Sequence, residues 1–442
     1  MRGSGREGLK LFAFALAIRL ASWLLVFQAA PLLSDAHSYF DVAGELVRGE
    51  LAQRAHYWPP GMPFLLVPGR LLAFDAMWLA SLVTILVSAA VAPLVAYITG
   101  LAGADARTCR TAGVLTALYM PAVFLSGQPY SQHLAMLSLL VIVAALLSSG
   151  AWTPARGAVL GASLGVGVLT RPSMAVVALV IAGAVILQRE APLRRRLTCL
   201  LTAAVVAAAL VTPVLAHNAR LGAGTVVSTN NERNFFLGNN RFTPDYKTSH
   251  LGQRSLAELP TATQEYLASV YAQPEPRQAM VHEALAFIRE NPGRTLRRTF
   301  NRTLSFWGFD YLSSRLVPQQ TKLGKLRSFA VLAGEAGTYL LVMILAIVAL
   351  VNAEARSRFS PRAQGILIAT TLAYALPYSI AFSGGTYHFP VMGLVLPFAA
   401  VGATFVWETK SLGSMRRLAL PLLALFALQA QYAYHTILMS GS

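Results

Sequence analysis

Apolar runs of about 20 residues, the length that spans a bilayer as a helix, recur along the chain between short polar turns rich in arginine. Eleven of them predict membrane-spanning helices, at about 9–30, 76–101, 111–126, 133–149, 157–170, 173–188, 197–216, 329–351, 363–382, 389–407 and 418–437. The fifth and sixth are short for a full span and meet at Leu169-Thr170-Arg171-Pro172-Ser173. Two polar stretches interrupt the pattern. The first, 31–62, holds a predicted short helix over 36–48, with Ser34 or Asp35 as its cap and Gly49 as its stop. Apolar residues 63–74 follow, broken by Pro68-Gly69, and read as an interfacial or re-entrant piece. The second polar stretch, 217–327, opens with Gly, Asn, Ser and Thr. It then predicts a helix at 276–290 that stops before Asn291-Pro292, because the residue before a proline avoids the helical region. From 293 to 307, Leu296, Phe300, Leu304 and Trp307 recur at helical spacing with Arg294, Arg297, Arg298 and Arg302 mostly off the stripe, the pattern of an interfacial amphipathic helix.

The pattern predicts an all-α polytopic membrane bundle in three parts: an N-terminal membrane module at 1–216, an outer-face segment at 217–327, and C-terminal membrane helices at 328–442. Composition agrees, with 55% hydrophobic and 12% charged residues, where a soluble protein carries about 25% charged. The net charge of +17 calls for no nucleic acid. The arginines cluster in the short turns at one end of the spans, which the positive-inside rule assigns to the cytoplasm together with the N-terminus. Residues 9–30 lack a small-residue cleavage site and read as a retained span. This topology puts all eight histidines on or near the outer side and both cysteines, Cys109 and Cys199, near inner helix ends as free thiols. Arg19 lies inside the first span and is expected to face the bundle or a wet cavity.

Chemistry concentrates on the outer side. Asp35 and Tyr39 share a helical face at i,i+4, whereas Asp41 is turned about 240° from Asp35 at ~100° per residue. The two carboxylates therefore form no paired acid and base, and Asp41 reads as a solvated residue with a local partner. Asp35 is the candidate general base, held ionised near helix N–H groups. Arg171 sits where two short helices meet and suits a phosphate. Arg54, Arg220 and Arg233 are further candidate cations, and Tyr39, His56, Tyr57, Trp58, Tyr387 and His388 are candidate substrate contacts. His37 and His56 carry no metal-ligand spacing, so no metal residue is assigned, although a divalent ion stays open. No Walker A loop, dinucleotide fingerprint, Gly-x-Ser-x-Gly or Cys-x-x-Cys is present. An activated donor on the outer side is then expected to be a lipid rather than a nucleotide.

Asp35-Ala36-His37-Ser38-Tyr39 with Pro59-Pro60-Gly61-Met62-Pro63 resembles the first outer loop of GT-C fold glycosyltransferases. The nearest resemblance is to the bacterial relatives of dolichyl-phosphate-mannose protein mannosyltransferases and of the lipid A aminoarabinose transferase. The likeness continues at Leu169-Thr170-Arg171-Pro172, at Asn218-Ala219-Arg220 leading to Ser228-Thr229-Asn230 and Gly238-Asn239-Asn240, at Phe287-Ile288 through Asn291-Pro292, and at Tyr387-His388-Phe389-Pro390. The resemblance implies a polyprenyl-phosphate-linked sugar donor, transfer to a lipid, glycan or protein hydroxyl on the periplasmic face of a bacterial inner membrane, and inversion at the anomeric carbon. It carries the base to Asp35 and the donor phosphate to Arg171. Two positions depart from the family pattern: Ser131-Gln132-His133 stands where an acidic residue is frequent, and Thr386 where an arginine is. Two other readings stay open: a transporter or flippase of a lipid-linked sugar, and an oligosaccharide ligase or polymerase using a lipid-pyrophosphate donor, for which Arg220 and Arg233 are the cations.

Overall fold

The computed structural model describes residues 4–27, 32, 34–73, 76–246, 251, 256–317 and 321–438. Among these residues the regular structure is helical throughout. Helix α1 (Ser4–Ala21) runs into a π-helical turn, Ser22–Val26. The first polar stretch forms α2 (Asp35–Arg48) and α3 (Gly61–Leu72). There follow α4 (Met77–Leu101), α5 (Ala106–Ala117), α6 (Met120–Leu125), α7 (Ser131–Leu147), α8 (Pro154–Thr170), α9 (Val177–Ile186) and α10 (Leu193–Arg220). The second polar stretch holds α11 (Asn230–Gly238), α12 (Thr261–Tyr271), α13 (Pro276–Glu290), α14 (Pro292–Phe306) and α15 (Leu312–Leu316). The chain ends with α16 (Lys322–Val351), α17 (Ala353–Arg356), α18 (Pro361–Ile380), α19 (Phe389–Thr409) and α20 (Met415–Ala433).

Among the described residues, six helical segments are long and apolar enough to cross a membrane: Gly5–Val26, Met77–Leu101, Leu193–Arg220, Lys322–Val351, Pro361–Ile380 and Gly385–Thr409. The protein is a multi-pass membrane protein. Several spans differ from their sequence outlines. The third is split into α5 and α6 where Tyr119 turns extended ahead of Pro121. The break expected at Pro68-Gly69 does not occur. Pro68 sits inside continuous α3, as membrane helices tolerate prolines whose freed carbonyls find other partners.

Small residues set the tightest packing. On α8, a Cβ at Gly157 or Gly161 would strike the carbonyl oxygens of Cys199 and Ala203 on α10, so the two helices approach to backbone contact, as small-residue stripes permit. A Cβ at Gly61 would come 2.7 Å from the Thr170 backbone nitrogen, which brings the start of α3 against the end of α8. Arg19 is fully buried in the bundle and donates to Ser88 Oγ (2.7 Å) and to the carbonyls of Ala15 and Ala117.

The amphipathic helix α14 divides its two faces between the protein and its surroundings. Its apolar residues Leu296 and Phe300 are the exposed ones, while Arg298 and Arg302 are buried. Arg298 donates to the carbonyls of Asn240 and Thr243, and Arg302 to those of Gly238 and Ile380. Arg294, Arg297 and Arg298 also converge on Asp245. Burial pushes that carboxyl up, but the three guanidiniums outweigh it and hold it below its ordinary value. Arginine thus fastens the outer segment to the bundle and leaves an oily stripe facing outward.

Candidate active site

Helix α2 begins at Asp35 and ends at Gly49, whose left-handed φ of 73° lets its N–H reach the carbonyls of Glu45 and Leu46. Ser34 precedes it but makes no capping bond; its hydroxyl turns to Asp35 Oδ1 at 3.4 Å. Asp35 is therefore the first residue of the helix rather than its cap. Its carboxyl lies raised above the ordinary aspartate value because burial penalises the charge, against smaller opposing effects of Ser34 and Arg171. That reverses the expectation of a carboxylate held low by helix N–H groups. One turn on, buried Tyr39 stands edge-on to Trp58, with ring centroids 5.8 Å apart.

Arg171 ends α8 in extended backbone (φ −146°, ψ 105°) ahead of Pro172, as that proline demands. Its Nη1 donates to Tyr378 Oη at 3.2 Å, and Ser173 Oγ donates to the same oxygen at 2.9 Å. The guanidinium lies over the Tyr387 ring at 5.7 Å, and its buried Nε has no hydrogen-bond partner. Tyr378 stacks on Tyr387 at 4.9 Å. Asp35 and Arg171 influence each other through space without a direct ion pair among the described residues.

These side chains meet in a two-lobed cavity. One lobe, of about 320 Å³, runs past Trp58, Ser173, Tyr378 and the amides Asn230, Asn231 and Asn234 of α11. The other, of about 220 Å³, runs past Tyr130, Gln132, Tyr311, Arg315, Thr386 and Tyr432. Asp35, Tyr39, Ser131, Arg171 and Tyr387 line both. Among the described residues Asp35 is the sole carboxylate on either wall. Among the described residues no group of three His, Cys, Asp or Glu gathers.

The structure thus gathers Asp35, Tyr39, Trp58, Arg171 and Tyr387, and leaves the other candidate cations and substrate contacts outside the cavity wall. Arg54 pairs with Glu45. His56 packs against His217 at 5.2 Å, and its backbone N–H donates to Asn218 Oδ1. Tyr57 is exposed and accepts from Arg233 at 3.3 Å. Arg220 is exposed at the end of α10. His388 is turned the other way, donating from Nδ1 to the Phe306 carbonyl at 2.8 Å and lying against Tyr339. Asp41 bonds His37 at 2.7 Å, and Arg48 pairs with Glu50. His250 lies outside the described residues. Sequence reasoning missed Asn231, Asn234, Tyr378 and Arg315. Asn230, inside Ser228-Thr229-Asn230, and Ser131, Gln132, Ser173 and Thr386 belonged to stretches already singled out.

An apolar cavity of about 580 Å³ lies on the other side of the end of α14, between α16, α18, α19 and α20. Leu304 and Trp307 close its α14 side. Neighbouring Phe306 packs on Tyr378 of the polar cavity at 5.8 Å.

No protein-family profile matches the chain, and no curated protein matches it. Among solved structures it is similar to the apo form of the Archaeoglobus fulgidus oligosaccharyltransferase, at 13% identity and a TM-score of 0.52, over 98% of this chain and 55% of that one. It is also similar to the oligosaccharyltransferase AglB from Archaeoglobus fulgidus in complex with an inhibitory peptide and a dolichol-phosphate, at 14% identity and a TM-score of 0.49 over the same shares. A third similar structure is ArnT from Cupriavidus metallidurans in the apo state, at 15% identity and a TM-score of 0.38, over 91% of this chain and 78% of that one. The chain spans about half the length of the oligosaccharyltransferase that it matches. At these identities the likeness is one of architecture: the chain has the GT-C membrane fold.

Proposed function

We propose that the protein is a membrane glycosyltransferase that moves a sugar from a polyprenyl-phosphate donor to an acceptor hydroxyl, with Asp35 as general base. The observation that carries this reading is the pairing of Asp35 with Arg171 on one cavity wall, with no other carboxylate there. Asp35 takes the acceptor's hydroxyl proton. The acceptor oxygen bonds to the anomeric carbon as the carbon–oxygen bond to phosphate breaks. The electron pair leaves with the phosphate, whose growing charge faces the unpaired N–H of Arg171. Attack opposite the leaving group inverts the anomeric centre. The Asn230, Asn231, Asn234 and Trp58 wall offers amides and a ring of the kind that holds sugar hydroxyls. The apolar cavity beside α14 supports a lipid-borne substrate. On this reading the cavity opens to the periplasm, opposite the arginine-rich turns. Arg220 and Arg233, the cations for a pyrophosphate donor, lie off the wall, so nothing favours that alternative.

The test is transfer by purified protein from a polyprenyl-phosphate sugar, read as released polyprenyl phosphate. Asp35→Asn is expected to cost roughly 100- to 10,000-fold, the usual contribution of a general base. The wild-type rate is expected to fall as pH drops through the raised Asp35 value, with an acid limb above the ordinary aspartate value of about 3.9. Full activity in Asp35→Asn would overturn the assignment, and a protein that moves the intact lipid-linked sugar without releasing lipid phosphate would be a transporter.

A further inference from the structure

Arg315 is a cation that the reaction above leaves unused. It lies in the short α15, on the wall of the smaller lobe, together with Arg171. Arginines elsewhere in the outer segment are held by their own chain: Arg277 by Glu232, Arg294 and Arg297 by Asp245, Arg302 by backbone carbonyls. Arg315 has no ion-pair partner among the described residues and rests beside the Tyr311 ring, 5.8 Å from its centroid.

The loop that carries it is braced from below. Buried Glu335 of α16 accepts from the N–H groups of Ser313 (3.1 Å) and Ser314 (3.2 Å), so both carboxylate oxygens are spent on the backbone just ahead of Arg315. Buried Asp310 accepts from the Leu312 N–H at 3.0 Å and from Thr386 Oγ1 at 3.4 Å. Burial of two carboxylates is costly unless their acceptors are filled, and here they are filled by the backbone that aims Arg315. A third partner, Ser328 Oγ, donates to the Ser314 carbonyl at 2.8 Å. The smaller lobe therefore presents two guanidiniums, one from each half of the chain, with Asp35 between the lobes. The larger lobe has Arg171 alone and is lined by neutral amides and rings.

On the reading that this cavity transfers sugar, we infer that the smaller lobe is the phosphate lobe and that Arg315 with Arg171 grips the phosphodiester of the lipid donor and the phosphate monoester of the lipid phosphate product. The larger lobe, with Arg171 as its one arginine beside neutral amides and rings, is then left to sugar hydroxyls. A fork of N–H donors on each side of one phosphate gives charge-assisted bonds that a single arginine cannot complete.

The experiment measures binding of polyprenyl phosphate in detergent micelles, and separately of inorganic phosphate, to wild-type protein and to Arg315→Ala, Arg315→Lys and Arg233→Ala. Arg315→Ala is expected to weaken polyprenyl-phosphate binding tenfold or more, Arg315→Lys to recover part of it as a point charge without the fork, and Arg233→Ala, off the wall, to leave it unchanged. Wild-type affinity in Arg315→Ala would overturn the inference. So would a loss confined to inorganic phosphate, which would make the lobe a site for the free ion. Absence of any lipid-phosphate binding in the wild-type protein would instead overturn the proposed function on which the inference rests.

Discussion

Burial keeps His56 neutral. Its pKa is pushed down to about 4, first by burial and then by His217 and Arg54. Its folded value lies below the unfolded value of about 6.5, so between the two the unfolded chain binds the extra proton. Stability from this group is present above pH 6.5 and is lost as pH falls toward 4. Thermal unfolding in detergent is expected to show that loss in the wild-type protein and a flatter slope between pH 4 and 6.5 in His56→Phe. An equal slope in both would show that His56 is not the titrating group. The same residue shows how far side-chain roles were legible in the sequence. Asp35, Tyr39, Arg171 and Tyr387 were found because each belongs to a motif whose backbone context, a helix start or a residue before proline, already aims it. Arg54, His56 and Tyr57 share their stretch with Asp35, but Arg54 is held by Glu45 of α2, and the partners of His56 and Tyr57, His217 and Arg233, come from the far end of α10 and from α11. Spacing along the chain does not reveal such partners. Arg315 had no signal, because Leu-Ser-Ser-Arg-Leu is unremarkable until Glu335 and Asp310 are seen beneath it.

Between elements, α8 approaches α10 to backbone contact. Gly161→Ala places a methyl against the Ala203 carbonyl and must push the helices apart. Overpacking of this kind costs about 1–3 kcal/mol, so a lower melting temperature in detergent is expected. Gly183→Ala, in α9 with nothing near its Cβ, is the matched control and is expected to leave it unchanged. Equal melting behaviour would mean that α8 and α10 have room to yield. Periodicity located the elements well: α13 and α14 fall at 276–290 and 292–306, as the proline between them required. It did not show which face of α14 turns inward. The interfacial pattern set leucine and phenylalanine on one side and arginine on the other, but gave no sign that carbonyls of the 238–243 turn hold Arg298 and Arg302 inside.

At the scale of the whole molecule, hydropathy and arginine placement outlined a helical membrane bundle because those properties are local to each span. The cavity is not local. It draws on α2, the turn before α7, the end of α8, α11, α15 and the 385–388 turn, and only folding brings these together. Their shared end of the bundle is expected to face outward in the cell. Exposed Arg54 sits in the same outer stretch as Asp35, so Arg54→Cys is expected to react with a membrane-impermeant thiol reagent in intact cells. Cys109 and Cys199 are expected not to react. Labelling of the native cysteines but not of the new one would invert the topology.

One turn at the end of α14 separates two solvents. Phe306 touches the polar chamber through Tyr378, and Trp307, the next residue, closes the oily one. A molecule with a charged head and a hydrocarbon tail is soluble in neither chamber alone, but it is at home straddling this partition. The partition is held by Tyr339 Oη and Gln429 Nε2, both of which donate to the Trp307 carbonyl, at 2.5 Å and 2.8 Å. The fold thus builds its sharpest change of polarity out of two adjacent aromatic residues and a single carbonyl oxygen.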